Sequence, residues 1–208
     1  MKLFANPRVI RRFIILMAFA TFGMFSIWAI VNSYRNTPDG DHEVRQGDIF
    51  LGDKLYDDAL ERFDAALKVS PDHRGALMGR ALVFLQNDHP IEAEAELTYL
   101  INYLTKSLEP DDRTGIGTLA AAYNNRGVLF DRLCRHKEAL DDYISALKTD
   151  EGAVDGPGIV DKIIYGTPQP STARTRAQYL YEKLPELTPG ECLKLPEKDA
   201  EQRMYKPN

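Results

Sequence analysis

The sequence is poor in the residues that carry catalysis and metal binding. Among 208 residues it has only 2 cysteines and 4 histidines, and neither type shows the C-x-x-C or H-x-x-x-H spacing typical of metal sites. Glycine-rich phosphate loops and nucleophile-base motifs are also missing. We therefore predict that the chain is not an enzyme and takes no metal, cofactor or small-molecule substrate. The histidines, which we expect on the surface, are His42, His73, His89 and His136.

Basic residues are too few over most of the chain for a nucleic-acid partner. The net charge is −5. The first 31 residues hold four of the 26 basic groups and no acid, so the remainder carries 22 basic against 31 acidic groups. Binding to phosphates needs a basic face. An acidic body of this kind does not supply one, and we predict no nucleic-acid partner.

Charge is absent altogether from Phe13 to Val31. As a helix this run of 19 residues reaches about 28 Å, close to the ~30 Å hydrocarbon core of a bilayer. We predict a transmembrane helix over 13–31. A cleaved signal peptide is the alternative, since Ala18-Phe19-Ala20 offers a cleavage pattern, but the apolar region of such a peptide is usually only ~7–15 residues long.

The charges around this run predict its orientation. Residues 1–12 are basic and should be cytoplasmic by the positive-inside rule. The chain is then a single-pass protein of the inner (cytoplasmic) membrane, and everything from the linker at 32–42 onward lies on the far side. In a Gram-negative bacterium that side is the periplasm.

A pattern of small and large residues repeats along the next part of the chain. It consists of a small residue, an aromatic residue three places later, an alanine nine further on and a large apolar residue four beyond that. The first copy is Gly47, Phe50, Ala59 and Phe63; shifts of 34 and then 46 residues give Ala81, Phe84, Ala93 and Leu97, and Gly127, Phe130, Ala139 and Tyr143. The spacing predicts pairs of antiparallel amphipathic helices that approach closely at the small positions, with Ala59 facing Gly47.

This pattern resembles the tetratricopeptide repeat, whose unit has 34 residues. In the first unit Ala66 and Pro71 match the family as well. The resemblance implies an all-α solenoid of about three helical hairpins over 43–151. The longer second shift places an insertion near 105–118, where we expect the second closing helix to run on by about two turns to Glu109-Pro110 and the next helix to begin at Leu119–Tyr123.

The C-terminal part has a different composition. We predict a loop and a capping helix over 152–186, with Ser171 or Thr172 as the N-cap, followed by a proline-containing tail over 187–208 that is disordered or laid against the body. Cys134 and Cys192 can form a disulfide that clamps this tail in an oxidising compartment. The sequence does not determine their separation, and two free thiols are the alternative that we favour.

The resemblance implies a partner-binding groove lined by the first helix of each hairpin. Its predicted lining is Val44, Asp48, Leu51, Met78, Leu82, Leu85, Asn124, Val128 and Asp131. Family members that grip a terminal carboxylate use lysine, asparagine and arginine, whereas Asp48, Gly75 and Ala121 occupy that side here. We expect an apolar or amphipathic peptide instead, taken as a helix in the groove. The alternative is that part of this lining packs against the chain's own tail.

These features together predict a membrane-anchored protein-interaction module. It would act as an adaptor, or as an assembly factor or chaperone, for envelope or membrane-complex proteins. A permanent accessory subunit of a membrane complex and a mitochondrial membrane receptor are the alternatives.

Overall fold

The computed structural model describes residues 7–35, 38–154, 172–188 and 191–193. All regular secondary structure within these ranges is helical. The α-helices are α1 Pro7–Arg35, α2 Asp41–Gly52, α3 Tyr56–Val69, α4 Arg74–Gln86, α5 Pro90–Ser107, α6 Arg113–Arg132, α7 His136–Val154 and α8 Ala173–Lys183, followed by a 3-10 turn at Leu184–Glu186.

Helix α1 contains the charge-free run and extends beyond it at both ends. The most apolar window of 18 residues in its segment Pro7–Asn32 has a mean hydropathy of 2.3, and none of this window is buried. Twenty-six residues span about 39 Å at ~1.5 Å per residue, which exceeds the hydrocarbon thickness. By length and composition, therefore, α1 can cross a membrane.

Helices α2 to α7 form three antiparallel hairpins, α2–α3, α4–α5 and α6–α7. Each hairpin turns through one residue with a left-handed backbone, and these residues are Lys54 (φ 61°), Asp88 (φ 59°) and Cys134 (φ 61°). They are separated by 34 and 46 residues, the shifts of the sequence pattern. In each turn the next amide donates to the carbonyl of the repeat aromatic residue, Phe50, Phe84 or Phe130, at 2.8 Å. The three hairpins thus share one local geometry.

The small residues of the first hairpin surround the ring of Phe63. A Cβ placed on Gly47 would lie 2.6 Å from this ring, and one on Gly79 of α4 would overlap the same ring. Phe63 is fully buried, so one aromatic side chain fills the space between two hairpins. The atoms nearest to Gly47 belong to Phe63, and the expected pairing of Gly47 with Ala59 stays a prediction.

The extra residues between the second and third hairpins are mostly helical. Helix α5 ends at Ser107, four residues past the position equivalent to the end of α3, which is one turn rather than the two expected. Helix α6 begins at Arg113, seven residues before the position equivalent to the start of α4 and six before the expected Leu119. The reason is a helix N-cap that the sequence interpretation missed: the Asp112 side chain accepts a bond from the Gly115 amide at 2.8 Å.

Helix α8 packs against α7, in the place that the first helix of another repeat would take. Thr172 and Thr175 cap its N-terminus reciprocally. Its buried face, Ala173, Ala177 and Leu180, joins a core cluster with Val128 and Tyr143. The predicted capping helix is therefore present, whereas the predicted loop over 155–171 and the tail beyond Leu193 lie outside the described residues.

Candidate functional site: the concave groove

A cavity of about 1110 Å³ opens along the first helices of the hairpins. Its apolar surface comes from Val44 and Leu51 on α2, Leu82 on α4 and Tyr103 near the end of α5. Thr114 and Thr118, on the early turns of α6, close one side. The remaining lining is Pro38, Asp41, Asp48, Gly52, Lys54, Ser70, Asp72, His73, Arg74, Gly75 and Gln86.

Ion pairs and caps hold the charged part of this lining. Arg74 Nη1 donates to Asp112 Oδ2 at 2.6 Å, which ties the start of α4 to the start of α6. The bond from the Gly115 amide is the largest cause that lowers the pKa of the Asp112 carboxyl, and the Arg74 guanidinium acts in the same direction, against desolvation. The carboxylate is therefore ionised at neutral pH and links two repeats across the groove.

His73 has a comparable role at the other side of the cavity. Its Nδ1 accepts a bond from the Ala76 amide at 3.3 Å, so the proton of the neutral ring is on Nε2. That nitrogen lies 3.0 Å from Asp41 Oδ1 and donates to it. His73 is partly buried, and it joins the first turn of α2 to that of α4 rather than standing on the open surface.

The structure separates the nine predicted groove residues into two sets. Val44, Asp48, Leu51 and Leu82 line the cavity. Met78 and Leu85 belong to the core of the first two hairpins, and Asn124, Val128 and Asp131 are buried near the C-terminal end. A partner-binding role for the first set stays a prediction. The second set is buried and does not line this cavity, and its partner-binding role likewise stays a prediction.

Asp131 departs furthest from the expected role on a groove rim. It is 4% exposed, and its carboxylate accepts from Arg176 of α8, through Nε and through Nη2 at 2.9 Å. His136 Nδ1 lies 2.9 Å from the same carboxylate. Asp131 therefore fastens the capping helix to the third hairpin, and the expected surface position of His136 is wrong because the ring is 3% exposed.

The same cluster holds a short piece of the tail. Cys192 is joined by a disulfide to Cys134 in the third hairpin turn, with a Cα–Cα distance of 5.0 Å. The next residue, Leu193, donates its amide to His136 Nε2 at 2.9 Å and accepts from Arg176 Nη2 at 3.2 Å. The structure thus has the clamp rather than the two free thiols that we favoured from the sequence.

A repeated ion pair was missed by the sequence interpretation. Arg80 on α4 donates to Glu96 at 2.6 Å, and Arg126 on α6 donates to both oxygens of Asp142 at 2.7 and 2.8 Å. Each arginine also reaches the second helix of the preceding hairpin, through Asp64 or Thr98 at 3.0 Å. Arg80 and Arg126, and likewise Glu96 and Asp142, are related by the 46-residue shift, so a search for charged residues in the repeat register could have found these two pairs.

Burial and pairing oppose each other in these contacts. Desolvation raises the pKa of Glu96 and of Asp142, and the facing arginines act in the other direction. The bond to Asp142 raises the pKa of Arg126. Each arginine thus offsets part of the desolvation cost of its carboxylate, which makes each pair dependent on both members.

Comparisons with known proteins identify the repeats. The family model described as "Tetratricopeptide repeat" matches residues 44–101. Among solved structures, the Sgt2 TPR domain from Aspergillus fumigatus is 15% identical, with a TM-score of 0.52 over 76% of this chain and 90% of that one. The first TPR of Spaghetti (RPAP3), bound to an HSP90 peptide, is 15% identical, with a TM-score of 0.50 over 71% and 94%. The Arabidopsis OM64 TPR domain is 21% identical, with a TM-score of 0.49 over 69% and 95%.

No curated protein matches the chain. The family match covers most of the first two hairpins, and the third shares the turn geometry of both and the arginine pair of the second. Residues 44–101 therefore match the tetratricopeptide repeat; an apolar helix precedes them, and a third hairpin and a capping helix follow.

Proposed function

We propose that the protein is a membrane-anchored binding module that takes a segment of another protein in its concave groove. The observation that carries the proposal is the cavity of about 1110 Å³ on the face formed by α2, α4 and the start of α6. Solenoids of helical hairpins characteristically bind on such extended concave surfaces. The role is one of holding a partner, without catalysis.

The lining suggests which chemistry the partner has. Val44, Leu51 and Leu82 offer apolar contacts, and Asp41, Asp48 and Asp72 place acids around them. An amphipathic segment with apolar residues on one side and a basic residue beside them is complementary to this lining. A terminal carboxylate is disfavoured, because Asp48 would repel it and Ala121 is fully buried.

Two independent features support a location of the repeat domain outside the cytoplasm. The basic N-terminal flank of α1 favours a cytoplasmic N-terminus, and disulfides such as Cys134–Cys192 persist mainly in oxidising compartments. We infer a single-pass anchor with the domain on the far side of the membrane. In a Gram-negative bacterium this is a periplasmic adaptor or assembly factor for envelope or membrane-complex proteins.

A charge reversal inside the groove tests the binding role. Asp48→Lys changes a cavity-lining acid, and Asp57→Lys makes the same change on the exposed side of α3. Tagged chains are purified from native membranes and the bound proteins are identified by mass spectrometry. We expect Asp48→Lys to lose at least one partner that the wild type and Asp57→Lys retain. Identical partner sets in all three samples would contradict binding in the groove.

The same purification separates the two forms of the proposal. If the protein is an adaptor that exchanges its partners, each partner should co-purify at less than one copy per chain. A permanent accessory subunit, or a fixed mitochondrial receptor component, recovers a constant set at fixed stoichiometry after extraction in mild detergent.

A further inference from the structure

The disulfide lies against a histidine whose protonation state is determined by its neighbours. The Leu193 amide can only donate, so His136 Nε2 must carry a lone pair, and the ring proton is on Nδ1, where it faces Asp131 at 2.9 Å. His136 is thus a neutral imidazole held by a carboxylate. This is the tautomer and the orientation found in histidines that bind metals through Nε2.

Two sulfur atoms lie close to the His136 ring. The potential ligand atoms of Cys134, His136 and Cys192 all lie within 4.8 Å of one another. In a tetrahedral zinc site, with Zn–S near 2.3 Å and Zn–N near 2.0–2.1 Å, ligand atoms are about 3.5–3.8 Å apart. Opening the disulfide and moving the sulfur atoms apart by about 2 Å brings the two sulfur atoms to that spacing, with the ring nitrogen within 4.8 Å of both at the start.

We propose that the reduced form of Cys134 and Cys192, together with His136, is a binding site for zinc or a similar thiophilic divalent cation. The three side chains supply two thiolates and one imidazole, and a water molecule completes the tetrahedral set. Asp131 is the positioning residue, since it holds the ring through Nδ1.

A local movement of the tail segment is enough to replace the Leu193 amide by a cation at His136 Nε2. Cys192 and Leu193 are adjacent, so the shift that withdraws the Leu193 amide from His136 Nε2 also moves the Cys192 thiolate. Charge is balanced as well: two thiolates neutralise the cation, and the Asp131 carboxylate is neutralised by Arg176, whose side chain is 3% exposed. The cluster therefore gains no net charge when the cation binds.

The chemistry balances with one added reductant. A dithiol breaks the Cys134–Cys192 bond, passes two electrons and two protons to the sulfur atoms, and is itself oxidised to a disulfide. The cation then binds the two thiolates and releases the two protons. The tail segment is held in both states, by the disulfide in one and by the metal in the other.

The test uses the full chain in mild detergent, reduced with a phosphine under anaerobic conditions and titrated with Co²⁺. We expect one equivalent to bind, with the thiolate-to-cobalt charge-transfer and visible bands of a tetrahedral site, and Zn²⁺ to displace it. The oxidised chain and the Cys134→Ser/Cys192→Ser variant should lack these bands. Asp131→Asn should weaken binding about 10–100-fold, as loss of such a supporting carboxylate typically does, whereas Asp141→Asn on the exposed side of α7 should leave it unchanged.

Two results of the cobalt titration would contradict the proposal. Absence of the charge-transfer band in the reduced chain, or equal binding by the Cys134→Ser/Cys192→Ser variant, would overturn it. Circular dichroism follows the fold throughout. If reduction alone lowers the helical content, one equivalent of Zn²⁺ should restore it in the wild type, and failure to do so would also count against the site.

Discussion

At the scale of single residues, the most demanding contact is that between Phe63 and its two glycines. The ring lies between Gly47 on α2 and Gly79 on α4, and neither position has room for a Cβ. The sequence predicted a close approach of two helices with one large side chain inserted. It did not predict the role of Gly79, because that glycine falls outside the repeat pattern. A residue without a side chain is required there only once the second hairpin stacks on the first.

Gly47→Ala tests this packing. A Cβ at Gly47 would lie 2.6 Å from the Phe63 ring, and the ring cannot retreat because Gly79 is on its other side. Overpacking typically costs about 1–3 kcal/mol, which should outweigh the ~0.5–1 kcal/mol that alanine gains over glycine in a helix. We expect a net loss in the free energy of unfolding, measured by thermal or denaturant melts of the full chain in detergent.

Gly52→Ala is the matched control, since nothing lies within 4 Å of a Cβ at the end of α2. This variant should be neutral or slightly more stable than the wild type. A Gly47→Ala variant as stable as Gly52→Ala would mean that Phe63 does not fill the space between the hairpins.

Asp112 predicts a pH dependence of stability. Its folded-state pKa is lowered by the bond from Gly115 and by Arg74, so its contribution is present above the ordinary carboxyl pKa near 3.9 and is lost as the pH falls through the lowered value. Asp112→Ala should cost about 1 kcal/mol at pH 7, the usual effect of removing an N-cap. The difference from the wild type should shrink below about pH 4.

Melts at pH 7 and at several acidic pH values measure this difference, with Asp111→Ala on the exposed neighbouring residue as the control. A penalty for Asp112→Ala that stays constant down to pH 2 would contradict an ionised cap.

At the scale of helices, the arginine pairs determine how neighbouring hairpins stack. Arg126 is bound to both oxygens of Asp142 within its own hairpin and reaches Thr98 in the preceding one. Arg126→Met should leave the largely buried Asp142 carboxylate without its partner, and breaking a buried pair in this way costs about 3–5 kcal/mol. Melts of the variant should show a loss of this size.

Two comparisons make that prediction specific. Arg126→Met/Asp142→Leu removes both charges and should recover most of the lost stability. Arg62→Met removes an exposed arginine whose pair with Glu61 is open to solvent, and it should change stability by less than about 1 kcal/mol. If the double variant were as unstable as the single one, the cost would come from packing rather than from the uncompensated charge.

Some features of the helices could be predicted from sequence patterns and others could not. The register of α2 to α5 and the existence of α8 were predictable, because small residues at fixed spacing and an N-cap before an apolar stripe are local signals. The bounds of α5 and α6 were not predictable. The sequence offers two boundary signals between these helices, Glu109-Pro110 as a helix stop and Asp112 as a helix N-cap, and it does not show which of them applies. In the groove, Met78, Leu85 and Val128 share the spacing of lining residues, but their burial depends on the stacking of whole hairpins.

At the scale of the whole molecule, the third hairpin differs from the first two in what it contacts. Its turn carries Cys134, and its buried end binds α8 and residues 192–193 through Asp131 and His136. The groove residues predicted there are consequently taken up by the chain itself. We therefore expect a ligand to bind on the face formed by the first two hairpins and the start of α6.

The disulfide and α1 lead to one prediction about topology. If α1 spans the membrane with its basic end in the cytoplasm, a C-terminal alkaline phosphatase should be active and a C-terminal fluorescent protein that folds only in the cytoplasm should be dark. The chain should resist alkaline carbonate extraction and keep its N-terminal residues, because the charge-free run of 19 residues is longer than the ~7–15 of a cleavable signal. In the isolated membrane fraction, Cys134 and Cys192 should be protected from thiol reagents until a reductant is added. An active cytoplasmic reporter would place the domain, and with it the disulfide, on the reducing side, and this topology would then be wrong.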